Sequence, residues 1–226
     1  MSEFNIDPSF SVYELVSRTK RDASVIQHRR AMSVISHAIE DATLVDGART
    51  TVYSGFQIMS KFLRQVKRYT EMARKSEHVY VFGVPDVKVP HIPNITYIPL
   101  QPHDRLAKEW FIVSFGPTYY SALATEELTS VYDPDHLRQF KGIWSFDYNL
   151  VNILQDWLAD TVGTRRLTYN DTSQPDPRQE ANYINQAIDR LKRRIAREQD
   201  EVLRQELTYL IVRGLKPVTG YLSAAS

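Results

Sequence analysis

Apolar residues recur at helical spacing in some stretches of the chain and at strand spacing in others. Residues 28–43, HRRAMSVISHAIEDAT, predict an amphipathic helix, because their apolar side chains fall on one stripe at about 100° per residue. That stripe consists of Met32, Ile35, Ile39 and Ala42. Before it, SVYELVSR predicts a short helix and ASVIQH a brief extended segment.

The next segments predict a strand, a helix and a second strand. RTTVYSGF is rich in β-branched and aromatic residues, which is typical of a strand. Residues 57–75, QIMSKFLRQVKRYTEMARK, carry apolar residues at helical spacing. HVYVFGV is almost wholly apolar, as in a strand that is covered on both faces. This order predicts a parallel β-α-β unit with a right-handed connection.

Further strands and one helix complete the predicted domain. Prolines exclude a helix through the middle of the chain and leave NITYIPL as a short strand. EWFIVSFGPTYYSALAT predicts a hairpin that turns at Gly116, Pro117 and Thr118. GIWSFD predicts another strand, and YNLVNILQDWLADTV a closing amphipathic helix. We therefore expect residues 1–165 to form an α/β layered sandwich with a mixed parallel and antiparallel sheet.

The remaining residues predict a linker, a long helix and a tail. Residues 166–177 are polar and contain proline, as linkers do, and residues 214–226 form the tail. Residues 178–213 predict one long amphipathic helix. Its apolar positions are Ile184, Ile188, Leu191, Ile195, Leu203, Leu207 and Leu210. The stripe is interrupted at Gln199 and Asp200, so any coiled coil would be imperfect.

Basic residues in this helix, in the run RLKRRIAR, raise the possibility of nucleic-acid binding. Acidic residues stand four positions away from most of them, at a spacing that brings side chains together on a helix. The predicted pairs are Asp189 with Arg193, Arg194 with Glu198, Arg197 with Glu201, and Asp200 with Arg204. We therefore expect a solvated face and no nucleic-acid contact.

Composition narrows the function classes. The 226 residues carry a formal net charge of +1 and 42% hydrophobic content, which fits one folded domain with an appendage and gives no overall bias toward anionic partners. The chain has no cysteine, which excludes thiol nucleophiles, disulfides and cysteine-ligated zinc. Because the start of the chain does not resemble a secretory signal and no apolar run is long enough for a membrane span, we expect a cytoplasmic protein.

Motifs of catalysis or cofactor binding are not found in the sequence. Neither a dinucleotide fingerprint, a Walker loop nor a nucleophile elbow occurs, and the DPDH turn at 133–136 is ordinary turn chemistry. His37, after Ser36, invites comparison with a kinase phosphoacceptor, but it points about 160° away from the apolar stripe, with Glu40 and Asp41 within reach. We expect an ion pair there that raises the imidazole pKa. No enzyme, cofactor or metal site is predicted.

Several stretches together resemble the DICT domain, a family found in bacterial diguanylate cyclases and two-component proteins, especially those of cyanobacteria. They are SVYELV, HRRAMSVISHAIED, SGFQ with Arg68 and Tyr69 after it, VYVFG, LAKEWFIV and GIWSFD. They occur in the family's order over residues 10–160. The resemblance implies a sensory or signal-input module that is joined through a helix to its output, and it marks SHAIED as a family signature rather than a kinase box.

Candidate site residues are the polar and aromatic side chains in or beside these stretches. They are His37, Glu40, Asp41, Gln57, Arg68, Tyr69, Glu109, Trp110, Trp144 and Asp147. Gln57 and Asp147 follow predicted strands, where ligands of α/β proteins tend to bind. A structural reading stays open for each residue, with Trp110 and Trp144 in the core and Arg68 as the salt-bridge partner of a helix acid.

Two functions are favoured over a third, an enzyme whose site the sequence motifs do not reveal. The first is a non-enzymatic module in two-component or cyclic-di-GMP signalling. It would couple an input to an unidentified signalling partner through its C-terminal helix. Because the family couples paired modules through this helix, we expect a homodimer. The alternative is a receptor for a phosphate-bearing small molecule such as a cyclic dinucleotide. Arg29 and Arg30 suggest it, because cations in the first turn of a helix oppose its dipole unless an anion, or an acid such as Glu14, balances them.

Overall fold

A seven-stranded sheet lies at the centre of the protein, in the strand order β1-β7-β6-β5-β2-β3-β4. The computed structural model describes residues 4, 6–19, 24–26, 29–167 and 177–214. The strands are β1 (Ser24–Ile26), β2 (Thr51–Ile58), β3 (His78–Val84), β4 (Ile95–Pro99), β5 (Glu109–Phe115), β6 (Tyr120–Glu127) and β7 (Phe140–Ser145). The helices are α1 (Val12–Thr19), α2 (Arg29–Leu44), α3 (Met59–Leu63), α4 (Val66–Lys75), α5 (Tyr148–Thr161), α6 (Pro177–Arg197) and α7 (Glu201–Gly214).

The sheet mixes parallel and antiparallel pairs, which confirms the predicted α/β class. β3 pairs in parallel with both β2 and β4, because a helical or looped connection crosses over between successive strands. β5 and β6 form the predicted antiparallel hairpin, and the remaining pairs are antiparallel. Helices cover both faces of this sheet, so the strands β2 to β7 carry buried side chains on both sides.

Two hydrophobic cores lie on the opposite faces of the sheet. One core packs α2, α3, α4, α6 and α7 against it, with Met32, Ile35 and Ile39 of the predicted stripe fully buried. The other core packs α1 and α5 against it. Successive residues of a strand point to opposite faces, so Glu109 faces α1 while Trp110 faces α2. No helix in the described part of the chain combines the length and the apolar character that a membrane crossing requires.

The helix predicted after β2 is in fact two helices. The chain leaves helical geometry at Gln65, where φ is −109° and ψ is 1°, so that α3 ends at Leu63 and α4 begins at Val66. Phe62 and Tyr69, on either side of the break, are both buried and meet edge to face at 5.5 Å between ring centroids. Because the apolar spacing continues across the break, the hydrophobic pattern contains no sign of it.

The C-terminal segment is helical as predicted, but residues 198–200 divide it into α6 and α7. Asp200 caps α7, because its Oδ1 accepts the backbone N–H groups of Val202 and Leu203 at 3.1 Å. None of the four predicted i,i+4 ion pairs forms among the described residues, and the break changes the spacing for the three that involve residues 198–201. Glu198 instead pairs with Arg30, and Arg204 with Glu201 three positions before it. The polar residues that interrupt the apolar stripe thus mark a turn.

The apolar stripe of α6 and α7 packs on the protein's own core, mainly against α2 and β7. Its buried members are Ile184, Leu191, Leu203, Leu207 and Ile211. Each buried side chain of this kind stabilises the fold by about 1.5–3 kcal/mol. The chain's own domain therefore covers this stripe, and its burial does not require a second copy. The side chain of Leu210, most of the expected linker 166–177 and nearly all of the tail 214–226 lie outside the described residues.

Glu109, a predicted site residue, supports the start of α1. The Ser11 hydroxyl donates to Glu109 Oε1, and the Tyr13 backbone N–H donates to Oε2 at 3.1 Å. Glu109 is only 2% exposed. Burial raises the pKa of the Glu109 carboxyl to about 8, against the hydrogen bonds from Ser11 and Tyr13, which favour the ionised form. This carboxyl lies on the face of the sheet away from α2.

Replacing Glu109 with glutamine is expected to change how stability depends on pH. The folded state holds the Glu109 proton to higher pH than the unfolded chain does, so its contribution is full below about pH 4.5 and is lost as pH rises to about 8. Urea unfolding between these limits should therefore show a steeper fall in the free energy of unfolding for the wild type than for Glu109→Gln. Glu77→Gln, at a carboxylate in an exposed pair with Arg49, is the control. Parallel profiles for wild type and Glu109→Gln would contradict the raised pKa.

Candidate functional site

A buried carboxylate, Glu40 of α2, is the centre of the first polar group. Arg68 of α4 donates through Nε to Glu40 Oε2, and the Tyr69 hydroxyl donates to Oε1 at 3.0 Å. The Tyr69 hydroxyl also lies 2.8 Å from Ser54 Oγ of β2. Glu40 is 4% exposed, so its charge depends on these partners. Three elements, α2, α4 and β2, thus meet at one carboxylate.

Arg68 is held by more than Glu40. Its second terminal nitrogen donates to Asp41 Oδ1 at 2.6 Å and to the His37 carbonyl oxygen at 3.1 Å. Burial by itself would lower the pKa of Arg68, but Glu40 and Asp41 raise it above its usual value. Burial and the nearby Glu40 charge raise the pKa of Tyr69 well above its usual value. The group therefore stays a fixed ion pair with a neutral phenol beside it.

The expected ion pair of His37 with Glu40 and Asp41 is wrong. Both carboxylates bind Arg68, which reaches them from α4 and contributes a permanent charge. The His37 backbone carbonyl joins this group, while its half-buried side chain lines a small cavity nearby. The structural reading of Arg68 as the partner of a helix acid fits this geometry.

Asp41 extends the group to the C-terminal helices. Its Oδ2 lies 3.7 Å from Arg190 Nε of α6, and Arg190 also forms a two-pronged pair with Asp46 at 2.7 and 2.6 Å. Continuous polar contacts therefore run from Ser54 through Tyr69, Glu40, Arg68 and Asp41 to Arg190. We call these six residues the polar chain. It connects the sheet to α6 through α2, the helix that contains the family signature SHAIED and is called the signature helix below.

A second polar group lies beyond the bend of β2. Gln57 is buried with a positive φ of 66°, at an irregularity in the pairing of β2 with β3. Its Nε2 donates to Glu127 at 2.6 Å, and its Oε1 accepts from Arg138 at 2.5 Å. Arg138, 1% exposed, donates to both oxygens of Glu127 at 2.6 and 2.8 Å. This closed triad holds the end of β2, and ligands of α/β proteins tend to bind at the ends of strands.

Basic side chains gather above this triad around Asp135. Arg29 lies 3.4 Å from Asp135, and its guanidinium stands over the Trp110 ring at 5.3 Å. Lys61 and Arg64, from α3 and the residue after it, both lie 3.7 Å from Asp135. A cavity of about 30 Å³ lies beside this group, with His37, Gln57, Lys61, Tyr69 and Trp110 in its lining. It has room for about two water molecules.

Seven of the predicted residues lie in or beside these two groups. They are Arg29, His37, Glu40, Asp41, Gln57, Arg68 and Tyr69, and Trp110 joins them through Arg29 and a hydrogen bond from its Nε1 to Ser36 at 3.2 Å. Arg30 points to α6 and pairs with Glu198 at 3.2 Å. Trp144 is a core residue of β7, and Asp147 caps α5 by accepting from the Leu150 N–H at 3.2 Å.

Four important residues were not among the sequence candidates. Arg138, Glu127, Lys61 and Arg190 lie outside the motifs, and they join the groups by contacts between distant parts of the chain. A buried arginine just before β7 and its carboxylate partner at the end of β6 cannot be distinguished from surface charges by spacing alone. Both groups offer fixed charges and cationic hydrogen-bond donors, which suits holding elements together or binding an anion.

Comparison with known proteins gives one family. Searches against curated proteins and against solved structures gave no match. The family model described as DICT, a sensory domain in diguanylate cyclases and two-component systems, matches residues 9–128. That match includes α1, α2, the β-α-β unit and the β5–β6 hairpin, and with them the whole polar chain except Arg190. The chain therefore belongs to the DICT family of sensory domains.

Proposed function

We propose that this sensory domain is a non-enzymatic module that passes a change in its core to a partner protein through α6 and α7, in the cytoplasm and within two-component or cyclic-di-GMP signalling. The observation that carries the proposal is the contact of Asp41 with both Arg68 and Arg190. One carboxylate of the signature helix thereby touches the core cation on one side and the C-terminal helix on the other.

The geometry supports transmission in a direct way. Asp41 has two oxygens, and Arg68 holds Oδ1 at 2.6 Å while Arg190 lies 3.7 Å from Oδ2. A movement of α4 relative to α2 would turn this carboxylate and alter its distance to Arg190. Asp46 holds Arg190 more closely, so the Asp41 contact is the adjustable one. An input at the buried group of Glu40, Arg68 and Tyr69 would therefore change how α6 packs against α2.

The outer side of α7 is the surface that we propose for a partner. Val202, Tyr209 and Val212 are at least half exposed, and at helical spacing they fall on one side of α7. The buried stripe of the same helix, with Leu203 and Leu207, faces the core. A second copy of this chain is the partner that we favour, because a second α7 would offer the same apolar strip.

Replacing Asp41 with asparagine is expected to loosen α6 without unfolding the sandwich. The substitution keeps the shape of the side chain but removes the charge that Arg68 and Arg190 share, so opening of α6 should become more frequent. Hydrogen–deuterium exchange read by mass spectrometry should show several-fold faster exchange in α6 and an unchanged rate in β5 and β6.

Glu77→Gln is the matched control for this exchange experiment. It removes one carboxylate from an exposed pair with Arg49, away from the polar chain. Its exchange in α6 should equal that of the wild type. If Asp41→Asn speeds exchange in α2 and α4 alone, the polar chain does not reach α6 and transmission by this route fails.

Self-association through α7 makes a separate prediction. Light scattering of the full chain should give a dimer, and the double variant Val202→Asp, Val212→Asp should give a folded monomer, because two charges in an apolar interface oppose pairing. Val45→Asp, at an exposed apolar residue just after α2, should stay dimeric. A wild-type monomer at all concentrations would exclude the second copy and leave another signalling protein as the partner.

A receptor for a phosphate-bearing small molecule is the second candidate function. A groove of about 520 Å³ runs beside α2 and α6 and is lined by Arg30, Arg190, Arg193, Arg194, Arg197, Glu198 and Gln199. That volume is typical of small-molecule sites. Arg193, Arg194 and Arg197 form no ion pair within the described part of the chain. The sequence suggested that Arg29 and Arg30 share one anion site, but only Arg30 lines this arginine groove.

Calorimetry with cyclic dinucleotides tests this second candidate. Binding should weaken as salt is raised and should fall by roughly tenfold or more in Arg193→Ala, Arg194→Ala, because two charge-assisted contacts are lost. Lys67→Ala, Arg74→Ala removes the same charge from exposed positions of α4 and should bind like the wild type. Flat traces for every dinucleotide would exclude these ligands from the arginine groove.

A further inference from the structure

We infer that the basic cluster around Asp135 is a binding site for a phosphate group, and that the Asp135 carboxylate occupies the position of one phosphate edge. The cluster consists of Arg29, Lys61, Arg64 and Arg138. It lies at the N-terminal end of α2 on the side of Trp110, whereas the arginine groove lies on the side of α6. The inference goes beyond the second candidate function, because it names another site and the chemistry of its ligand.

The charge at this cluster is incompletely balanced. Four cations face two carboxylates, Asp135 and Glu127, and Glu127 is already committed to Arg138 and Gln57. The carboxylate oxygens of Asp135 lie 3.4 to 3.9 Å from the nitrogens of the four cations. These distances are longer than the roughly 2.7–2.9 Å of a direct charge-assisted hydrogen bond. One carboxylate is therefore shared among several donors and satisfies none of them fully.

Two neighbouring groups lack an adequate partner. The Nε of Arg29 is buried and has no hydrogen-bond acceptor in the structure. Burial and the nearby cations, Arg138 first among them, lower the pKa of Lys61. Burial likewise lowers the pKa of Arg29, although Asp135 opposes this. A further anion would supply an acceptor to Arg29 and would offset the repulsion among the cations.

Phosphate fits these requirements better than a second carboxylate. A phosphate group carries up to two charges and several acceptor oxygens in a tetrahedral arrangement, so it can serve donors that converge from different elements. Here the donors come from α2, α3 and the segment before β7, and they surround the end of β2 beside the closed Gln57 triad. Ligands of α/β proteins commonly bind at the ends of strands.

Asp135 can leave the cluster at small cost. It belongs to the connection between β6 and β7, residues 128–139, and its side chain is 47% exposed. Tyr132 and Leu137 of the same connection are also exposed, so its displacement removes little apolar surface from the core. Arg138 would stay in place, because Glu127 holds it by two hydrogen bonds. Phosphate and Asp135 would then compete for the same donors.

Calorimetry with inorganic phosphate tests the inference on the full chain. Asp135→Asn removes the competing charge, so we expect phosphate to bind roughly tenfold more tightly than to the wild type. Adding Lys61→Met to that variant should reverse the gain by a similar factor, and high salt should weaken binding. Tryptophan fluorescence should report the same titration, because Arg29 stands over Trp110.

Two control variants distinguish the possible outcomes. Asp133→Asn changes a carboxylate that accepts from the Ser130 N–H in the same connection, and it should bind phosphate like the wild type. Arg193→Ala, Arg194→Ala should leave phosphate binding unchanged. One outcome is that phosphate binding is lost in this groove variant and kept when Lys61→Met is added to Asp135→Asn. That result would overturn the inference and leave the second candidate function intact. Equal affinity in Asp135→Asn and the wild type, or no binding in either, would overturn the inference alone.

Discussion

The fold around the signature helix depends on one buried ion pair, Glu40 with Arg68. A carboxylate that is 4% exposed is tolerated in the core only when its charge is matched and its oxygens are hydrogen-bonded. Arg68 and Tyr69 provide both, and they come from successive positions of α4, so Glu40 fixes α4 against α2 and, through Ser54, against β2. Removing one member of such a pair typically costs about 3–5 kcal/mol.

The same pair is connected to the C-terminal helices through Asp41. Because Glu40 holds Arg68, the second terminal nitrogen of Arg68 is directed at Asp41, and Asp41 in turn faces Arg190. Apolar packing supplies most of the stability of α6 and α7, but packing of this kind tolerates small shifts, whereas the ion pairs specify position. The sensory core and the helices that follow it therefore share a polar connection, and the proposed function requires its geometry to change while the hydrophobic contacts are kept.

Sequence patterns predicted the α/β class, the strands, the β-α-β unit and most of the residues that meet at Glu40, because local periodicity and family motifs depend on nearby residues. They failed where distant residues decide the outcome. The break at Gln65 leaves the apolar spacing unchanged, and the turn at Asp200 was visible only as an interruption of the stripe. Glu198 has an arginine four positions before it, yet it pairs with Arg30, since tertiary contact overrides spacing within one helix. Arg138 belongs to no motif and became recognisable only from its burial.

The central claim is that the buried pair and α6 are energetically connected, and a double-mutant cycle tests it most directly. Glu40→Gln, Arg190→Met and the double variant would be unfolded in urea beside the wild type. Glu40 and Arg190 are joined through Arg68 and Asp41, so their effects on the free energy of unfolding should differ from additivity by about 0.5 kcal/mol or more. Effects that add to within about 0.3 kcal/mol would contradict the claim, because independent sites behave in that way.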